Sequence, residues 1–171
     1  MWTYYGQKRP PFADAPDLRQ ESVWDYPRPP KLVPDSRRVE VRLAALIIAD
    51  STQTYRVLET ASPPTFYVPP MDVRLEFLQL SSGSSICEWK GAARYWTLKS
   101  HARSSEPVGW SYPNPNPPFE TIASYFSFYP ARLECYVEGE RVQPQPGEFY
   151  GGWVTHEIVG PFKGRPGTES W

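Results

Sequence analysis

Proline occupies 21 of the 171 positions, well above the usual ~5%, and this limits what the chain can become. A residue that locks φ and lacks an N–H is excluded from helix interiors and from central strands. No segment carries a sustained helical period, and there is no coiled-coil heptad. What remains is short strands joined by long ordered loops. Aromatic residues make up 15% of the chain, which argues against disorder, since disordered chains are poor in them.

The strands show themselves by alternation. In "RVEVRL", Val39, Val41 and Leu43 alternate with Arg38, Glu40 and Arg42, the period of a half-buried strand. "IIAD" to "YRVLE" reads as strand, turn around residues 50–53, strand. "DVRLEFLQL" alternates again, with Val73, Leu75 and Phe77 set against Arg74 and Glu76. The "SSGSS" segment at 81–85 predicts a hairpin turn, with a partner strand clear from Ala92 onward. There Ala93, Tyr95 and Thr97 face one way, and Arg94, Trp96 and Leu98 the other. "RLECYVEGERV" predicts a hairpin turning at Gly139. "TIASYFSFYP" fits either a short helical turn or a strand. Short strands with turn signals between them predict a mostly antiparallel all-β domain.

Residues 1–37 read as an arm rich in proline and aromatics, and residues 38–171 as a single β domain. A glycine-rich extension begins at about residue 148. The arm's Trp2, Tyr4, Tyr5, Phe12, Trp24 and Tyr26 need a surface to pack on. Two roles are open: covering a sheet edge, or lidding a pocket or exchanging between protomers of a homodimer.

Charge excludes some partners. Lys plus Arg number 18 and Asp plus Glu 19, a balance with no general attraction for nucleic acid or an acidic membrane surface. The longest apolar run, "LAALIIA", is far short of the ~20 residues of a membrane helix. The first residues lack the apolar segment of a secretory leader, so a soluble cytoplasmic protein is expected. Cys87 and Cys135 stand alone, outside any Cys-x-x-Cys pair, and His101 and His156 are isolated; no metal or other cofactor is expected. His101 lies in a polar loop, and His156 reads as a structural residue on an apolar strand face. Cys135 has the alternation of a core position. Glu88 beside Cys87 would raise that thiol's pKa, the wrong direction for a nucleophile. "GPFKGRPGT" lacks the spacing of a phosphate loop and reads as surface, with Lys163 and Arg165 left as candidates to hold an anion.

An aromatic–polar set is left over: Glu59, Tyr67, Lys90, Trp96, Trp110, Tyr112, Tyr129 and Arg132. Small-ligand pockets combine aromatic walls with a few placed polar groups. The competing reading is that the aromatics are core and the charges solvated.

Five blocks, "VWDYPRPP", "ADSTQTYRVLETASPPTFYVPP" with "DVRLEFL", "CEWKGAARYW", "WSYPNPNP" and "FSFYPARLECYVEGERV", follow one another from Val23 to Val142. In order and spacing they resemble the family catalogued as domain of unknown function 427, which also carries a nucleotidyltransferase-type label. The resemblance implies a β-tent, two antiparallel sheets packed at an angle, as in methionine sulfoxide reductase B and the thalidomide-binding domain of cereblon. Many such relatives bind zinc through two Cys-x-x-Cys pairs, absent here. The family pattern matches at Glu59 and Thr60, Tyr67, Lys90 and Gly91, Tyr95 and Trp96, 110–113 and 128–130. Ser62 and Ile86 stand where many members have histidine, so no histidine-dependent chemistry carries over.

Three functions compete. The first is binding of a small planar or sugar-like ligand between the sheets, walled by Trp96, Trp110 and Tyr112 and anchored by Lys90 and Glu59. The second is a small-molecule enzyme of nucleotidyltransferase type, with Asp50, Glu59 and Asp72 for Mg²⁺ and Lys90, Arg132 and Lys163 for phosphate. The third is a structural protein that oligomerises through the arm.

Overall fold

The alternating segments form strands wherever their apolar face finds cover. A computed structural model describes residues 1–99 and 106–171. Its strands are β1 (Glu21–Ser22), β2 (Lys31–Asp35), β3 (Val39–Leu43), β4 (Leu46–Ser51), β5 (Thr54–Leu58), β6 (Thr65–Tyr67) and β7 (Leu78–Cys87). They continue as β8 (Gly91–Leu98), β9 (Gly109–Ser111), β10 (Phe126–Phe128), β11 (Glu134–Val137), β12 (Glu140–Arg141), β13 (Gln143–Pro144), β14 (Trp153–Val154) and β15 (Ile158–Val159). Short 3₁₀ turns are the helical elements among the described residues. The fold is all-β, and its larger sheets are antiparallel.

One four-stranded sheet has the order β12-β11-β3-β4, a second β10-β9-β8-β7, and a three-stranded sheet β2-β5-β6. The three-stranded sheet runs on into the second, because Val68 exchanges backbone hydrogen bonds with Phe126 at 2.7 and 2.9 Å. Period-two alternation then sorts side chains to two faces. Val39, Val41, Ile48, Cys135 and Val137 from the first sheet meet Phe66, Val68, Phe126, Phe128 and Trp96 from the joined pair, forming the main core. The opposite parity of the joined sheets, Val57, Tyr67, Ala93, Tyr95 and Trp110, builds a second aromatic cluster on the other face. A third cluster gathers the two ends of the chain. Trp24 of the arm is fully buried and packs edge-on against Tyr4, Phe12 and Trp171.

Two segments differ from their sequence reading, and a third settles one left open. Residues 72–77 are not strand: 3₁₀ turns at Pro70–Asp72 and Leu75–Phe77 interrupt the alternation, and β7 starts only at Leu78. The "SSGSS" segment is not the hairpin turn. It lies inside β7, where the register with β8 slips between Leu80 and Ser84, and glycine there marks a bulge. The turn comes at residues 88–90 and closes on Gly91, at φ +98°, a backbone setting that glycine adopts without strain. The "TIASYFSFYP" segment is both of its readings in succession, a 3₁₀ turn over Pro117–Ile122 and then β10. By contrast, the β11–β12 hairpin turns at Glu138 and Gly139, both with positive φ, the pattern that matches strand twist.

The C-terminal extension enters the main core through Trp153. It is fully buried, stacks on Phe66 at 4.8 Å between ring centroids, and donates its indole N–H to the Phe128 carbonyl at 2.9 Å. Trp153→Ala is expected to cost about 3–5 kcal/mol in urea unfolding. A loss below about 1 kcal/mol would mean that the extension is not part of the cooperative core.

Candidate functional site

The displaced hairpin turn decides where the site lies. Residues 88–90 project Trp89 and Lys90 from the end of the β7–β8 hairpin, and Asn116 clamps them. The Asn116 backbone N–H donates to the Lys90 carbonyl at 3.0 Å, and its side-chain amide donates to the Trp89 carbonyl at 2.9 Å. The Lys90 side chain folds back over the protein and is only 7% exposed. Its Nζ stands 5.7 Å from the ring centroid of Tyr112 and 5.8 Å from that of Phe119, within reach of a cation–π attraction.

Lys90 lines a cleft of about 250 Å³, on the face of the joined sheets turned away from the main core. Six of the eight residues singled out from the sequence converge there: Glu59, Tyr67, Lys90, Trp110, Tyr112 and Tyr129. Trp96 does not. Its parity turns it into the main core against Phe126, at 5.2 Å, with its indole N–H donated to Ser111 Oγ at 2.9 Å; Tyr95 takes its place in the cleft wall. Arg132 also lies outside. It stacks on the Tyr129 ring at 4.3 Å and lines a neighbouring, more polar hollow. Sequence reasoning left Trp2, Cys87 and Trp89 out of the site and offered Lys163 only as a candidate to hold an anion or phosphate; all four line the cleft.

The walls are locked together. Trp110 donates its indole N–H to the Tyr67 hydroxyl at 3.2 Å, packs edge-on to that ring, and lies 4.7 Å from Tyr129. Gly151 keeps the wall open, since a Cβ there would stand 2.4 Å from Trp110. Trp2 crosses from the arm. It sits over Lys163 Nζ at 3.8 Å and under the Arg28 guanidinium at 4.2 Å, and its N–H donates to Glu88 at 3.0 Å. Exposed Phe149 and half-exposed Tyr150 complete the rim.

Charge in the cleft is uneven. Glu59 is engaged by Arg28 at 3.1 Å. Burial opposes the Lys90 charge, but the Tyr67 phenol, the Cys87 thiol and the Glu59 carboxylate outweigh it and hold its pKa above that of an ordinary lysine. Burial pushes the Tyr67 and Tyr112 phenols up, so both stay neutral. Lys163 goes the other way: burial, helped by the neighbouring Arg28 charge, lowers it to about 8. Its Nζ donates to the carbonyls of Glu169 and Trp171 at 3.2 and 3.3 Å, so "GPFKGRPGT" is not the surface loop its composition suggested. Arg165 is exposed and apart from the cleft.

Catalytic and metal-binding groups are dispersed. Asp50 pairs with Arg38 at 2.8 Å, and Asp72 accepts from the Ser51 hydroxyl at 2.6 Å; neither lines the cleft. Among the described residues no group of three or more His, Cys, Asp or Glu could hold an ion. His156 is not on a strand face. It lies in the exposed turn between β14 and β15, paired with Glu140, which raises its pKa. His101 lies outside the described residues. Among the described residues no helix is long and apolar enough to cross a membrane.

A family model described as domain of unknown function (DUF427) matches residues 31–139, more than half of the chain. The match takes in the cleft's deep wall, from Val57 and Tyr67 through Lys90 to Tyr129, and leaves Trp2, Tyr150 and Lys163 in the flanking segments. No curated protein matches the chain.

The two cysteines should separate cleanly. Cys87 lines the cleft and is part-exposed, whereas Cys135 is fully buried and its thiol pushed up by burial. One thiol is expected to react with a disulfide reagent in the native protein, and two in denaturant; two in the native state would contradict the packing of Cys135. Lys163 gives a pH signature. Its folded pKa of about 8 lies below the ordinary 10.5, so between those values the unfolded chain holds more protons and stability rises with pH. The Tm of the wild type relative to Lys163→Met is therefore expected to climb across that window. A constant difference would mean that the ammonium is not desolvated.

Proposed function

The chain belongs to the DUF427 family, whose description names no activity, and from the cleft itself we propose that the protein binds a small planar organic molecule there. The observation that carries this reading is the convergence of Tyr67, Trp110, Tyr112 and Tyr129 with two buried lysines, Lys90 and Lys163, on a space of about 250 Å³. Planar rings gain from offset and edge-to-face contact with such walls. The Tyr67–Trp110 hydrogen bond and the Asn116 clamp hold the site open before any ligand arrives, so little ordering opposes binding.

Binding accounts for the residues better than nucleotidyl transfer does. That chemistry needs carboxylates gathered around a metal ion, and Asp50 and Asp72 lie away from Glu59's cleft. The protein's soluble cytoplasmic character and its lack of a nucleic-acid partner belong to this same reading, supported by the balanced charge.

Cys87 supplies the test. Aromatic fragments are screened by thermal shift, and each hit is then tested for protection of Cys87 against iodoacetamide. At a ligand concentration of 100 Kd, stability should rise by about 2.7 kcal/mol and alkylation should slow about 100-fold. Hits that raise Tm while leaving the Cys87 rate unchanged would place the ligand elsewhere and refute the proposal.

A further inference from the structure

The cleft wall offers donors for which the described protein supplies few acceptors. Lys90 brings a buried ammonium, and the carboxylate that most supports its charge, Glu59, is held by Arg28. Among the described residues no carboxylate lies within ion-pairing reach of Lys90 Nζ, and the thiol of Cys87 is only a weak acceptor. The next residue in the same turn, Trp89, also lines the cleft, and its indole N–H is buried without a hydrogen-bond partner among the described residues. Buried donors without acceptors are uncommon in folded proteins and call for an explanation.

Any molecule that fills the cleft strips water from Lys90. A neutral ring would leave the ammonium desolvated and unpaired, which is unfavourable. A ligand bearing an anionic oxygen would replace that water with a charge-assisted hydrogen bond, stronger than a neutral one. Among the described residues that line the cleft, Lys90 is the cation beside Tyr112, while Lys163, the other lysine, lies by Trp2 and Tyr150 and already donates to two main-chain oxygens. One ammonium without an oxygen acceptor among the described residues matches one anionic group.

Resting on the binding reading above, we propose that the natural ligand class is the small aromatic carboxylate, its ring held between Tyr67, Trp110 and Tyr112 and its carboxylate on Lys90. The Asn116 clamp and Gly91 make Lys90 the anchor: they fix the backbone of the turn, so the long side chain is delivered into the cleft from a set position.

The test compares matched acids and amides, benzoate with benzamide and indole-3-acetate with indole-3-acetamide, by calorimetry on the full chain at pH 7. Each acid that binds is expected to bind at least tenfold more tightly than its amide, and to slow Cys87 alkylation. In Lys90→Met, which keeps length and apolar volume, the preference should fall below about threefold. Correct folding of that variant is read from Cys135, which must stay unreactive. If the variant does not fold, the wild-type acid-to-amide ratio alone decides. Equal binding of acid and amide, both protecting Cys87, overturns the carboxylate inference and leaves the cleft reading intact. A preference that survives in Lys90→Met also overturns it. Failure of every acid and every amide to bind counts against both.

Discussion

The Arg28 guanidinium is the constraint on which the cleft depends. Its side chain is fully buried, and a charge taken out of water must be paired and hydrogen-bonded or the structure will not hold it. Arg28 meets this with three partners from two separate parts of the chain. It donates to the Tyr4 carbonyl of the arm at 2.9 Å, to the Thr60 carbonyl at 2.9 Å and to the Glu59 carboxylate at 3.1 Å. Trp2 lies across its face. One residue thus ties the arm to the end of β5, places the rim of the cleft, and engages Glu59, the carboxylate whose charge supports that of Lys90. The arm is not an appendage to the site but one of its walls.

Much of this was legible in the sequence, and the failures have physical causes. Period-two alternation located β3, β8 and β11 because each turns alternate residues to opposite faces, one of them toward the main core, and it identified Cys135 as packed rather than reactive. It misplaced the β7–β8 turn, because "SSGSS" has the composition of a turn and that of a bulge alike; only pairing with β8 distinguishes them. Val73, Leu75 and Phe77 alternate as a strand would, but Pro69 and Pro70 feed them into 3₁₀ turns. Lys90 was visible as a polar member of the left-over aromatic set, next to Gly91.

The Trp96 error is more instructive. Alternation says that Tyr95 and Trp96 face opposite ways, and only tertiary structure says which face is the core. The larger apolar ring went to the core, and the phenol, which can hydrogen-bond to Ser85 at 2.7 Å, went to the cleft. The meeting of Trp2 with Lys163 was out of reach for another reason. They lie 161 positions apart in the sequence, and nothing local marks a contact that long-range folding creates. The signal that existed was unspent chemistry: an arm with too many aromatics for a linker, and a lysine in a glycine-rich tail.

The tryptophans give the cleft one more property. Trp2, Trp89 and Trp110 line it, while Trp24, Trp96, Trp153 and Trp171 lie in other parts of the fold. Nearly half of the chain's indoles therefore sit against whatever occupies one small space. The molecule carries its own optical reporter there: the emission of three chromophores changes with the polarity and absorption of the occupant, against a steady background from the other four.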